Sequence, residues 1–265
     1  MTHYWPICNG LMKDAIGSCD MIQGSLTSFV TDRFGNANSA SALNGGWTQV
    51  PSGVFFNTTQ FTITVWVHPQ TVGYWSRIID FGNGQGLDNI VLSFCQTTPL
   101  PVLTSVNPSF QISSTKSLTL NSWQFLAATF IGSNIFIYID GIQVGSGSIA
   151  YHILPSKIRT SNYIGKSNWA GDGFSSSYID DLRFYSISLT QSQINALMNQ
   201  TDTSLLLSSC QLTVTSTTSK VMSSVTSKVE STTSTLTAIY TSTPVSATST
   251  SSLTIQASTY ITSIV

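Results

Sequence analysis

The stretch Trp123–Gly147, WQFLAATFIGSNIFIYIDGIQVGSG, constrains this chain more than any other. Read with a two-residue period, Phe125, Ala127 and Thr129 share one face of a strand, and Leu126, Ala128 and Phe130 the other. Gly132-Ser133 turns the chain. Ile135, Ile137 and Ile139 then alternate with Phe136 and Tyr138, and Asp140-Gly141 makes a second reversal. That dipeptide suits a type I′ turn, where both central residues take positive φ, freely for Gly and tolerably for Asp. Apolar residues on both faces predict strands inside a layered β structure, not on a solvent-facing sheet.

The same period recurs along the chain. Tyr4–Phe34 reads as an edge strand followed by loops, and Ser41–Val50 as short strands broken at Asn44-Gly45-Gly46. Phe61–Val67 has the cleanest alternation, with Pro69 expected to stop it because proline cannot donate to a ladder. Arg77–Phe81 and Asn89–Phe94 form another pair around the loop Gly82–Asp88, and prolines 99, 101 and 108 point to an edge or irregular stretch. Asn162–Lys166 and Tyr178–Tyr185 are the last strands, and Trp47 and Trp66 read as strand residues packed in the core or between sheets. Leu189–Met198 is the one helix, with Thr190 as cap and Ile194, Leu197 and Met198 as its apolar stripe. The expected fold is an all-β, two-sheet antiparallel jellyroll sandwich over residues 1–200. Residues 201–265 change character: roughly half are Ser or Thr, without a hydrophobic period. They are expected to be disordered, as an extended O-glycosylated stalk or an unmodified tail.

Only 8% of the 265 residues are charged and the net charge is −1, so no basic face exists for nucleic acid or anionic lipid. The single glutamate, Glu230, lies in the tail, leaving aspartates as the only folded carboxylates. Four cysteines, Cys8, Cys19, Cys95 and Cys210, allow three pairings; Cys8 and Cys19 flank a loop short enough to close, and reduced buried thiols are the other reading. No run is long enough to span a membrane as a helix, and the N-terminus lacks a signal-type apolar core. The sequons at Asn57 and Asn199 and the Ser/Thr-rich tail point outward instead, to an extracellular or cell-surface protein read here from a truncated start or as a fragment.

Three blocks, in order, resemble the laminin-G-like, concanavalin-A-like jellyroll family: FTITVWVHP (Phe61–Pro69), the Trp123 stretch ending in IYIDG (Ile137–Gly141), and YIGKSNW (Tyr163–Trp169) with YIDDLRFYSISLTQSQI (Tyr178–Ile194). The glycine usual in that family before Ile-Asp-Asp is Ser177 here, and the Asn-Arg after the closing Tyr is Ser186-Ile187. The resemblance implies a binding module for glycans or extracellular proteins, sometimes calcium-dependent.

Relatives that hydrolyse glycosides carry a Glu-x-Asp-x-(x)-Glu strand, and none exists here. Asp180 and Asp181, adjacent in a strand, are expected on opposite faces, with Arg183 paired to Asp181. His3, His68 and His152 are scattered, no Gly-x-Ser-x-Gly elbow occurs, and no Cys/His spacing suggests zinc, so the histidines read as surface or loop residues. The expectation is therefore no enzymatic role. For ligand contact, loop residues Trp75 and Trp169 offer aromatic platforms, with Asn168 and Asn83 as polar partners. Asp88, Asn89 and Asp172 supply oxygens for an optional calcium ion, although such residues are also ordinary in turns. The expected function is non-catalytic recognition or adhesion through loops at the sandwich end, with a glycan or extracellular protein as partner. A structural spacer and a degenerate glycoside hydrolase are the alternatives.

Overall fold

The computed structural model describes residues 1–150 and 154–199, and three strands beyond them. The chain divides into two units, Met1–Cys210 and Gln211–Val265. In the first, fifteen strands precede one helix: β1 His3–Trp5, β2 Ile22–Gln23, β3 Thr27–Val30, β4 Ala40–Asn44, β5 Thr48–Val50, β6 Gln60–Thr71, β7 Arg77–Gly82, β8 Ile90–Ser93, β9 Val102–Val106, β10 Ser109–Ser113, β11 Gln124–Ile131, β12 Asn134–Ile139, β13 Ile142–Ser148, β14 Ser161–Ile164, β15 Ser176–Tyr185 and α1 Gln191–Met198. They form an eight-stranded sheet in the order β13-β12-β11-β6-β15-β4-β3, with β1 beside β15, and a seven-stranded sheet in the order β10-β9-β8-β7-β14-β5-β2. All of their pairings are antiparallel.

Alternation decides what lies between the sheets. From the larger sheet come Phe61, Ile63, Val65, Val67, Leu126, Ala128, Phe130, Ile179, Leu182 and Phe184; from the smaller, Ile79, Phe81, Ile90, Leu92, Leu103 and Ile164. These side chains are buried, each worth about 1.5–3 kcal/mol for a residue of Val to Phe size. The other face of β11 and β12 meets α1, where Phe125, Ala127, Tyr138 and Tyr185 pack on Leu189 and Ile194. Thr190 caps the helix in a reciprocal capping box with Gln193. Asp140 and Gly141 both take positive φ, as the hairpin requires.

Three expectations change. Pro69 does not end β6, which runs on to Thr71; the proline sits opposite a register shift between Ser176 and Ser177, where a missing N–H is tolerated. Cys19 is free whereas Cys8 is disulfide-bonded, so these two are not paired. Cys19 is held instead by its backbone: its N–H donates to Asp14 Oδ2 (3.1 Å) and its carbonyl accepts from Trp5 Nε1 (2.8 Å). Trp66 is not between the sheets but on the outward face of the larger one, because Val65 and Val67 take the inward positions; Trp47 lies in the turn between β4 and β5.

In the second unit, β16 Val214–Thr217, β17 Thr235–Tyr240 and β18 Ser251–Gln256 pair antiparallel in that order. β-branched residues are dense in these segments. The remaining tail residues, and with them the stalk expectation, lie outside the described residues.

Candidate functional site

Asp80 fixes the site. In β7, Ile79 and Phe81 face the core, so Asp80 points to the outward face of the smaller sheet. It is nevertheless 0% exposed, because the chain after β14 folds back across that face. Asn168 donates from its backbone N to Asp80 Oδ2 (2.9 Å) and from Nδ2 to Oδ1 (2.8 Å), and Asn89 Nδ2 also donates to Oδ1 (2.8 Å). Arg77 Nε reaches Asp80 Oδ2 at 3.4 Å while its Nη2 donates to Asp172 Oδ2 at 2.6 Å. Ser167 Oγ donates to the same Asp172 oxygen (2.6 Å). One guanidinium thus ties two carboxylates, and buried charges of this kind persist only when paired and hydrogen-bonded.

The Arg77 guanidinium carbon lies 4.9 Å from the Trp75 ring and 5.5 Å from the Trp169 ring, so two tryptophans are held against one cation. Trp75 adopts φ +51, an uncommon conformation for a bulky residue, fixed by Arg77 Nη1 on its carbonyl (2.7 Å) and by its own N–H on Gln96 O (3.2 Å). Gly173 N donates to Tyr74 O (2.7 Å), locking the two loops together. Tyr74 and Phe174 beside them are 58% and 47% exposed. On the same face, Lys166 Nζ lies 4.6 Å from the Trp47 ring and 4.4 Å from the Tyr163 ring.

Trp75, Trp169, Asn168 and Asp172 therefore come together, on two loops that each pass between the sheets, from β6 to β7 and from β14 to β15. Asn89 buttresses them from below. Asn83 and Asp88 stand apart: Asn83 Oδ1 accepts from Thr160 N (3.0 Å) and Oγ1 (3.1 Å), and Asp88 accepts from Asn83 and Asn107. Neither Asp88 nor Asp172 belongs to a cluster of three or more His, Cys, Asp or Glu side chains among the described residues. His3, Asp14 and Cys19 do lie together. Yet Asp14 is spoken for by donors: Tyr4 N, Ile16 N and Gly17 N on Oδ1, and His3 Nδ1 (2.7 Å) and Cys19 N on Oδ2. Burial pushes its carboxyl up, but these bonds outweigh it and hold it at about 2. Burial and the neighbouring Asp14 and Asp20 push the Cys19 thiol up, away from the thiolate a metal wants. Asn57 is exposed, with its Oδ1 accepting from Thr59 N (3.3 Å); Asn199 is the helix C-cap, and the rest of its sequon lies outside the described residues.

The Asp180–Asp181 pair departs from expectation. Asp181 takes φ +51 at a bulge where β15 slips against β6, which swings both carboxylates to one side. Arg33 Nη1 donates to Asp180 (2.7 Å) and Nη2 to Asp181 (2.5 Å). Burial, with the charge of Asp181, holds the Asp180 carboxyl well above the usual range. Arg183 does pair with Asp181, at 3.3 Å. Both acids are buried.

Two stacked antiparallel sheets with these connections define a jellyroll sandwich of the concanavalin A type. A profile of the concanavalin A-like lectin/glucanases superfamily matches residues 43–195, more than half the chain, and the protein belongs to that family. No curated protein matches the sequence. Among solved structures, domain 4 of AbnA, a GH43 extracellular arabinanase from Geobacillus stearothermophilus, in complex with arabinotriose, is similar with TM-score 0.64 and 21% identity, covering 75% of this chain and 98% of that one. The binding domain of botulinum neurotoxin serotype G gives TM-score 0.58 at 18% identity, covering 74% and 50%. That of botulinum neurotoxin DC, in complex with SialylT, gives 0.55 at 15%, covering 75% and 51%. The chain spans about half the length of these toxin domains. At such identities the likeness is one of fold.

Proposed function

We propose that the protein is a non-catalytic recognition module of the cell exterior that binds a glycan at the Trp75–Arg77–Trp169 cluster. The observation that carries this is the pair of tryptophans clamped on one buried arginine, with exposed Tyr74 and Phe174 beside them. Aromatic faces stack on the apolar faces of sugars, and Asp172, Asn168 and Ser167 set hydrogen-bonding groups next to them. The similar arabinanase domain was solved with arabinotriose, which supports a carbohydrate as ligand. Catalysis is disfavoured because the acids are engaged: Asp80 and Asp172 by Arg77, Asp180 and Asp181 by Arg33. A retaining or inverting glycosidase instead needs two carboxyl groups open to the scissile bond.

A glycan array probed with the full chain, with calcium and with a chelator, tests the reading. Saturable binding should fall about tenfold or more in Trp75→Ala and Trp169→Ala, the loss of about 1.4 kcal/mol of contact. A chelator-sensitive signal adds calcium to the site. Uniform silence favours a spacer, and turnover of any arrayed glycan refutes the non-catalytic reading.

A further inference from the structure

We propose a second sugar site, for a neutral monosaccharide unit, on the opposite side of the sandwich. It lies on the outward face of the eight-stranded sheet, around Trp66, His68, Trp123 and Tyr178. His68 and Tyr178 are directly paired across β6 and β15, with ring centroids 5.0 Å apart and planes at 20°. Trp123 stands 5.5 Å from His68 and 6.4 Å from Tyr178. The three rings form a compact cluster, with Trp123 turned 68° to His68 and 48° to Tyr178, of a size for one sugar ring and not for an extended chain. All three residues are half-buried, as is Trp66 in the adjoining row.

The polar atoms here are short of partners. Trp66 Nε1 and His68 Nδ1 are buried without a hydrogen bond, and in the next row so are Thr64 Oγ1 and Arg183 Nη1, on residues that face each other across the ladder. Thr64 and Arg183 are themselves almost wholly buried. Buried polar groups are ordinarily paired, so Trp66 Nε1 and His68 Nδ1, orphaned beside these rings, mark a place where something outside the fold supplies the partners; Thr64 and Arg183 lie about 13 Å along β6 from His68, beyond one sugar ring. Gln70 Nε2, which donates to the Tyr178 hydroxyl (2.9 Å), adds a further polar group at the rim. The rest of that face is occupied: α1 packs over Phe125 and Tyr138, and Arg33 stacks on the Trp66 ring at 4.5 Å. Arg33 and Arg183 are bonded to Asp180 and Asp181 and almost wholly buried, so neither guanidinium is presented to an acidic sugar. Hydroxyls, on a ring with an apolar face, fit both the orphans and the aromatics.

The site is independent of the Trp75–Trp169 cluster, and one experiment separates the two. The full chain is titrated calorimetrically with arabinotriose, cellohexaose, xylohexaose and sialyllactose, as wild type, Trp123→Ala, His68→Ala and the double variant Trp75→Ala/Trp169→Ala. A neutral sugar should bind the wild type at two equivalents and each variant at one. His68→Ala, at a half-buried position, keeps the comparison valid if Trp123→Ala does not fold. One wild-type equivalent that survives His68→Ala and Trp123→Ala overturns the second site and leaves the first. One equivalent lost in His68→Ala but kept in the double variant overturns the first and leaves the second. Binding of sialyllactose alone refutes the neutral ligand, and silence across all four sugars counts against both sites.

Discussion

Two aspartates carry much of what single residues contribute. Asp14 gathers donors from His3 and from the backbone of Tyr4, Ile16, Gly17 and Cys19, and so orders the N-terminal segment that plugs Trp5 into the core. Its folded value of about 2 lies below the ordinary 3.8, so its stabilisation is complete above the unfolded value and is lost as pH falls from there through about 2. That window is worth about 2 kcal/mol, and urea midpoints at pH 7 and pH 2 should differ more in the wild type than in Asp14→Asn. Gly17 admits no side chain, since a Cβ would strike His3 and Asp14. Asp80 is the second case. Arg77→Met strips its buried carboxylate of its cation and should cost about 3–5 kcal/mol in chemical denaturation, whereas Arg77→Met/Asp80→Asn should recover part of the loss. Equal stability of both variants would show that the pair is idle.

Elements follow from periodicity where burial alternates, and depart from it where a neighbour intervenes. The hairpins from Gln124 to Ser148 and the capped helix were legible because each apolar position recurs at the period of its element. Removing the cap with Thr190→Ala should cost about 1 kcal/mol in thermal or urea unfolding, with Thr190→Ser close to wild type. Gly141→Ala should be worse, since Gly141 takes φ +73 and its Cβ would run into Asn195 of the helix. The continuation of β6 through Pro69 and the bulge at Asp181 were not legible, because both depend on how β15 slips along β6, a contact between residues more than a hundred positions apart. For the same reason His68 and Trp66 read as bland residues: only the pairing of β6 with β15 and β11 sets them beside Tyr178 and Trp123. Trp75, Trp169, Asn168 and Asp172 could be chosen from loop composition, but Arg77 and Asp80, which hold them, look like ordinary strand residues until the loop folds over them.

At the scale of the whole molecule, the sandwich presents two outward faces, each with its own aromatic cluster and its own arginine–aspartate network, separated by a shared apolar core. Among the described residues, that core is built from the first unit. A chain ending at Cys210 should therefore melt at the temperature of the full-length protein, and a markedly lower midpoint would mean that the Ser/Thr-rich unit supports the sandwich. The central claim, that a sugar lodges where Arg77 clamps two tryptophans, is tested most directly by hydrogen–deuterium exchange of the full chain with and without the strongest array ligand. Exchange should slow at residues 72–77 and 166–173 on binding, and this slowing should vanish in Trp169→Ala. Bound ligand with unchanged exchange over both segments would contradict it.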